Sequence, residues 1–179
     1  MLQRDTTVLV IIDAQEKLAK AMYEQEAFAR NLQMAIRGAQ VLDIPVIGVE
    51  QYPQGLGPTI PEVKELFTDW EPVVKNSFSC CQSDEFMEKL RSLNRKQILL
   101  AGIEAHICVY QTACELAEQG YEVEVLCDAS SSRTPENKAI GLEKMKAKGV
   151  GITSTEIALY ELLKAAHGAE FKSILQLVK

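Results

Sequence analysis

The hydrophobic positions fall into short apolar runs separated by longer, partly polar segments. Thr7–Ile12 (Thr-Val-Leu-Val-Ile-Ile) is a continuous β-branched run that closes at Asp13. Such a run, apolar at every position, is the pattern of a strand buried on both faces. Val46–Val49, Val73–Val74, Ile98–Ala101, Tyr121–Cys127 and Val150–Thr153 read as further strands. Between them lie stretches with helical spacing. Glu26 to Leu42 carries Ala27, Leu32, Ala35, Ile36, Ala39 and Leu42 as apolar positions, and Asp43-Ile44-Pro45 ends it. Ser83-Asp-Glu opens a helix with a cap and first-turn acids, and Phe86, Leu90 and Leu93 give its stripe. Another helix follows Cys108 and stops at Gly120.

Thr134-Pro135-Glu136 is a helix start with an N1 proline, and that helix closes with Lys144, Lys146, Lys148 and Gly149. Thr153-Ser-Thr-Glu156 predicts a capping box for a helix through Leu163. The tail from Ala169 to Lys179 is weakly helical. A short helical piece is expected near Glu62–Phe67. The segment from Gln51 to Pro61, with three prolines and two glycines, reads as a long loop. Strands alternating with helices predict an α/β chain with a mainly parallel sheet and helices on both faces.

Length and composition narrow the picture. The 179 residues suit a single domain spanning 1–179. Hydrophobic residues make up 47% and charged residues 25%, the balance of a globular chain with a real core. A net charge of −6 leaves no basic stripe to meet phosphates, so no nucleic-acid partner is expected. No apolar run approaches a membrane span, so no membrane partner is expected either. The first strand follows almost at once on Met1, and no signal peptide is expected. The five cysteines (80, 81, 108, 114 and 127) do not form a disulfide framework or a zinc motif. A reducing, cytoplasmic location fits them best.

The chemistry gathers around Lys96-Gln-Ile-Leu-Leu-Ala-Gly-Ile-Glu-Ala-His-Ile-Cys108. Here a buried strand meets a turn at Gly102 and then a helix, with Cys108 near the helix start. Unpaired N–H groups at such an end favour a thiolate. In open α/β sheets a ligand binds outside the carboxyl ends of the strands. Asp13, Lys75 and Cys108 each follow a different strand there. An ammonium would stabilise the thiolate, and a carboxylate would take the thiol proton and later return it to a leaving group. N–H groups in the Gly102–Cys108 turn could hold an oxyanion. Gln51, Tyr52, Phe78 and the stretch Ser130–Arg133 are candidate pocket walls.

Three ordered anchors resemble the isochorismatase-like cysteine hydrolases, a superfamily that includes nicotinamidases, N-carbamoylsarcosine amidohydrolases and isochorismatases. They are Val8-Leu-Val-Ile-Ile-Asp13, Lys75 before Ser77-Phe78-Ser79, and Gly102-Ile-Glu-Ala-His-Ile-Cys108-Val. The segment Glu50-Gln-Tyr-Pro-Gln-Gly-Leu-Gly-Pro-Thr-Ile-Pro-Glu is similar to the isochorismatase-domain-containing branch. The resemblance covers nearly the whole chain. It implies a three-layer αβα fold with a six-stranded sheet, an Asp13–Lys75–Cys108 triad, and a non-proline cis peptide between Ile103 and Glu104. It also implies an oxyanion hole from the amides of Glu104 and Cys108, and a homo-oligomer (a dimer or larger).

The chain departs from the nicotinamidase pattern. Where those enzymes hold a metal through Asp-x-His and further histidines, it reads Glu50-Gln51-Tyr52, and its only histidines are His106 and His167. No metal and no cofactor are therefore expected. The expectation is a metal-free cysteine hydrolase of a small-molecule amide or related acyl compound, working through a thioester. A catalytically idle scaffold and a redox-sensing thiol protein are the alternatives. A Cys108–His106 dyad is disfavoured, because positions i and i+2 of a helix do not face each other.

Overall fold

A computed structural model describes residues 1–179. In chain order the elements are β1 (Thr7–Ile12), α1 (Glu16–Ala19), α2 (Gln25–Val41), β2 (Val46–Gln51), α3 (Pro53–Leu56), α4 (Pro61–Lys64) and β3 (Val73–Lys75). There follow α5 (Asp84–Ser92), β4 (Gln97–Ile103), α6 (Tyr110–Glu118), β5 (Glu122–Ser131), α7 (Pro135–Ala147), β6 (Gly151–Thr153), α8 (Thr155–Leu163) and α9 (Gly168–Leu177). The six strands form one sheet in the order β3-β2-β1-β4-β5-β6, and every pairing is parallel. The sheet is thus wholly parallel, as crossover helices on both faces require.

The apolar pattern explains the layers. Alternate residues of β1 go to opposite faces. Leu9 and Ile11 pack with Phe28, Leu32 and Ile36 of α2, Leu159 and Leu162 of α8, and Ile174 of α9. Val8, Val10 and Ile12 pack with Phe86 and Leu90 of α5, Leu116 of α6 and Met145 of α7. Both β1 and β4 are buried along their whole length. A buried leucine-sized side chain contributes about 1.5–3 kcal/mol, so these two cores carry most of the fold's stability.

The chain winds outward from β1 in one direction to β2 and β3, and from β4 in the other to β5 and β6. The boundary between β1 and β4 is therefore the topological switch point, where a crevice opens at the carboxyl ends of the strands.

Several boundaries differ from the sequence reading. β4 continues through Gly102 to Ile103, so Gly102 is a strand residue and not the turn. It has φ +129°, and a Cβ there would overlap the Ile12 carbonyl. Gly102→Ala is expected to destabilise the fold by about 3 kcal/mol or more, read as a lowered denaturant midpoint. A midpoint unchanged from wild type would refute that close approach.

The chain after β4 forms a single π-helical turn, Ala105–Val109, before α6 begins at Tyr110. Cys108 lies within that turn and not in the α-helix. β5 runs on to Ser131, four residues past the expected end at Cys127, with an irregular register against β4 between Leu100 and Gly102. Hydrophobicity could not show this, because Asp128 and Ser130 extend the strand without apolar side chains.

The Gln51–Pro61 segment is more ordered than a loop. It starts as the last residue of β2, includes α3, and is tied back by a Gln15–Thr59 bridge. The helix expected near Glu62–Phe67 is the single turn α4. α8 is capped by Ser154, which accepts the Ile157 N–H, so the box is shifted by one from Thr153. The cap hydroxyls of Ser83 and Thr134 accept the N–H groups of Phe86 and Asn137 as the sequence indicated.

Candidate active site at the switch point

The crevice is built on strand ends. β1 stops at Ile12, and Asp13 adopts φ +52°, a left-handed conformation that turns the chain out of the sheet. Its carboxylate is fully buried. β3 ends in Lys75, also buried, whose Nζ lies 2.9 Å from Asp13 Oδ2. The same ammonium donates to Gln51 Oε1 at 2.6 Å and to the Ser77 carbonyl at 3.0 Å. Three acceptors satisfy its three protons.

Gln51 is held in turn by Gln15. The Gln15 amide accepts the Gln51 N–H at 2.7 Å and donates to the carbonyls of Gln51 (3.0 Å) and Gly57 (2.7 Å). The sequence reading passed over Gln15. Its signal was a buried amide two residues after a strand-terminal Asp.

Asp13 Oδ1 is buried and makes no hydrogen bond of its own, and the Cys108 thiol lies beside the carboxylate. Burial pushes the Asp13 carboxyl above its ordinary value, while the Lys75 charge, its hydrogen bond and the Cys108 thiol pull it back. Burial first, and then the Asp13 charge, push the Cys108 thiol well up; Lys75 opposes this only in part. These two influences work against the easy thiolate expected from the sequence. The favourable turn cannot offset removal from water together with a neighbouring anion. The thiol therefore lies next to a carboxylate able to accept its proton. Cys80, behind Lys75, is buried, and desolvation raises its thiol to about 12.

The peptide between Ile103 and Glu104 is cis. The Glu104 carbonyl accepts the N–H groups of Ile107 and Val109, which closes the turn around Cys108. The Glu104 N–H donates to no backbone acceptor. The Glu104 carboxylate is buried, and its Oε2 takes two bonds from Arg133, from N at 3.0 Å and from Nε at 3.1 Å. His106 Nδ1 lies 2.9 Å from Ser132 Oγ. A side chain at Gly141 of α7 would overlap the His106 backbone, so α7 clamps the turn from outside. No Cys108–His106 dyad forms.

Tyr52 and Phe78, candidate pocket walls from the sequence, are exposed, as is Val74 of the edge strand β3. The Tyr52 N–H donates to the Lys75 carbonyl.

The residues after β2 do not fit a metal. Glu50 Oε1 is committed to Thr59, at 2.7 Å from both its N and Oγ1, and Gln51 Oε1 is committed to Lys75. His106 is held by Ser132, and His167 lies far along the chain at the N-cap position of α9, with no side-chain cap bond. A zinc site needs three or four convergent N, S or O donors, and no such group of His, Cys, Asp and Glu occurs.

What the arrangement can do is clear in chemical terms. A thiol lies beside a buried carboxylate that a lysine fixes in place, and the Glu104 N–H, at the start of the same turn, makes no backbone hydrogen bond. These are the parts of base-assisted nucleophilic attack on a carbonyl.

Comparison with known proteins agrees with this architecture. The solved structure of the MAR1 ribonuclease from Caenorhabditis elegans superposes with a TM-score of 0.92 at 32% identity, covering 99% of this chain and 91% of that one. The YcaC gene product of Escherichia coli, an octameric hydrolase of unknown specificity, shares the fold (TM-score 0.93, 21% identity, 98% and 88% covered). Isochorismatase domain-containing protein 2 of Danio rerio is 35% identical over 173 residues, spanning 96% of this chain and 86% of its own length. With the isochorismatase-domain model matching residues 7–157, the chain belongs to the isochorismatase domain family.

Proposed function

We propose that the protein is a metal-independent cysteine hydrolase of a small-molecule amide or related acyl compound, acting through a thioester. The observation that carries this reading is the buried Lys75–Asp13 pair set against the Cys108 thiol. As a substrate carbonyl enters, Asp13 takes the thiol proton and sulfur attacks carbon. The carbonyl oxygen becomes anionic and is met by the amides of Glu104 and Cys108. Collapse expels the amine, which leaves with the proton that Asp13 held. Water then attacks the thioester as Asp13 takes its proton, the carbon–sulfur bond breaks to release the acid, and Asp13 returns the proton to the Cys108 sulfur. Lys75 keeps its proton throughout and holds Asp13 ionised and aimed.

The family's hydrolase fold supports an enzyme over an idle scaffold. The raised thiol disfavours a redox sensor, since oxidation follows thiolate character. A net charge of −6 disfavours a nucleic-acid substrate. We propose further that copies associate through the Tyr52, Val74 and Phe78 edge; the similar YcaC gene product is itself octameric. No helix is long and apolar enough to cross a membrane. Residence in the cytoplasm is part of the same proposal.

A screen of amides, carbamoyl compounds and isochorismate tests the reading. Turnover is expected with an amide, and its kcat/KM should rise with pH as Asp13 ionises. Because the Asp13 carboxyl lies above its ordinary value, this acid limb falls above pH 3.8. A profile that climbs only where a free thiol ionises, with no acid limb in the carboxylate range, would sink Asp13 as the base.

A further inference from the structure

We propose that Gln51 is a positioning residue of the reaction: its neutral amide takes up one Lys75 proton, so that the ammonium serves Asp13 and keeps no proton for the sulfur or the substrate. The inference deepens the hydrolase reading and rests on it. By sequence Gln51 is a candidate pocket wall. In the structure it is the last residue of β2 and stands in register with Lys75, the last residue of β3. Gln51 Oε1 accepts from Lys75 Nζ at 2.6 Å, and Gln51 Nε2 donates to the Asn76 carbonyl at 3.2 Å. Only one orientation of the amide satisfies both neighbours, with oxygen towards the ammonium and nitrogen towards the carbonyl. Asp13 Oδ2 and the Ser77 carbonyl take the other two ammonium protons.

The backbone of Gln51 is held as firmly as its side chain. Gln15, fully buried, accepts the Gln51 N–H at 2.7 Å and donates to the Gln51 carbonyl at 3.0 Å. One side-chain amide thus takes both main-chain groups at the end of β2, as a neighbouring strand would. The contacts close into a ring. Asp13 bonds Lys75, Lys75 bonds Gln51, Gln51 bonds Gln15, and Gln15 is joined to Asp13 through Ala14. A satisfied polar network of this kind fixes its members in one arrangement, because displacing one breaks its bonds to two neighbours.

Charge explains why an amide stands there. A carboxylate at position 51 would share the ammonium with Asp13 and leave a negative charge uncompensated near the thiol. β2 does carry a carboxylate one residue earlier, but successive strand side chains point to opposite faces. Glu50 Oε1 is spent on Thr59, at 2.7 Å from both its N and Oγ1. The titratable groups that act on Asp13 are Lys75, Cys108 and Glu50, and Cys80 acts with Asp13 and Lys75 on Cys108. The neutral Gln51 therefore fills the one remaining ammonium position without adding to the acids already present.

The test is the pH profile of Cys108 alkylation by iodoacetamide in the full-length wild type, Gln51→Glu and Gln51→Met. Modification is read at Cys108 alone, by peptide mass spectrometry, because Cys81, Cys114 and Cys127 are half-exposed. Gln51→Glu adds an anion against the ammonium. It should move the profile about one unit to higher pH, a rate about tenfold lower on the rising limb. Gln51→Met keeps the net charge and removes the acceptor, so a freed ammonium proton can turn to the sulfur and move the profile to lower pH. A residue that merely holds the fold would, when replaced, change the height of the profile or move it the same way in both variants. The proposal is overturned if Gln51→Glu does not move the profile up or Gln51→Met does not move it down. Should one variant fail to fold, the direction of the other decides. Failure of the hydrolase reading looks different: no amide is turned over and no acyl mass appears on the Cys108 peptide, whatever the profiles do.

Discussion

If the proposed mechanism holds, Cys108→Ala is expected to abolish hydrolysis, lowering kcat/KM by about 10⁴-fold or more on any amide the wild type turns over. The substitution removes one sulfur from a turn that other groups hold. The Glu104 carbonyl still accepts from Ile107 and Val109, and Arg133 still grips the Glu104 side chain. Stability should therefore change by about 1 kcal/mol, the loss of a small buried group. The two measurements together are diagnostic. A lost rate with a retained melting temperature assigns the defect to chemistry. The acyl-enzyme gives an independent readout, because wild-type protein quenched during turnover should carry the acyl mass on the Cys108 peptide. A Cys108→Ala protein that keeps a tenth of the wild-type rate would exclude the thioester. Asp13→Asn should cost nearly as much rate, since it keeps the shape and removes the base.

Lys75→Met is expected to be the most destabilising single change in the site. It leaves the Asp13 carboxylate buried with no counter-charge. Breaking a buried pair from one side costs about 3–5 kcal/mol. The pH dependence has a definite sign. Burial already raises the Asp13 carboxyl above its unfolded value. A carboxyl raised in the folded state binds its proton more tightly there, so its contribution to stability is fully present below the unfolded value. That contribution is lost as pH climbs through the folded value. Removing Lys75 takes away the largest opposing influence and raises the carboxyl further. The stability gap between Lys75→Met and wild type should therefore be widest at neutral pH and narrow as the solution is made acidic. Urea midpoints between pH 7 and pH 4 measure it. Pairing the change with Asp13→Asn should recover much of the loss at pH 7, because no charge is then buried alone. A gap that stays constant with pH would mean that packing, and not charge, is what Lys75 supplies.

The two halves of the site differ in how openly the sequence displayed them. Asp13 and Lys75 were visible because each ends an apolar run. A polar residue in that position lies at the strand terminus whatever the loop does next, and strand order alone brings the two together. Cys108 was visible as a residue shortly after β4, but its surroundings were not. The sequence reading gave it a helix end and a favoured thiolate; the structure gives it a π-helical turn, burial and an anionic neighbour. The sign of the thiol's shift depends on how much water remains and on which charge lies nearest, and neither is a local property. Gln15 and the Arg133–Glu104 pair were missed or unassigned for the same reason. Their partners are 36 and 29 residues away.

Local pattern determined the α/β class, the strand cores, the caps at Ser83 and Thr134, and the strand-end positions of Asp13 and Lys75. These follow from period, from β-branching, and from which residues can satisfy a helix end, all decided within a few positions of the chain. The tertiary structure decided the rest: the extension of β5 past Cys127, the close approach that requires glycine at 102, the burial of the thiol beside Asp13, and the pairing of Arg133 with Glu104. Each of these is set by what a neighbouring strand places within a few ångströms, and by the water that neighbour excludes.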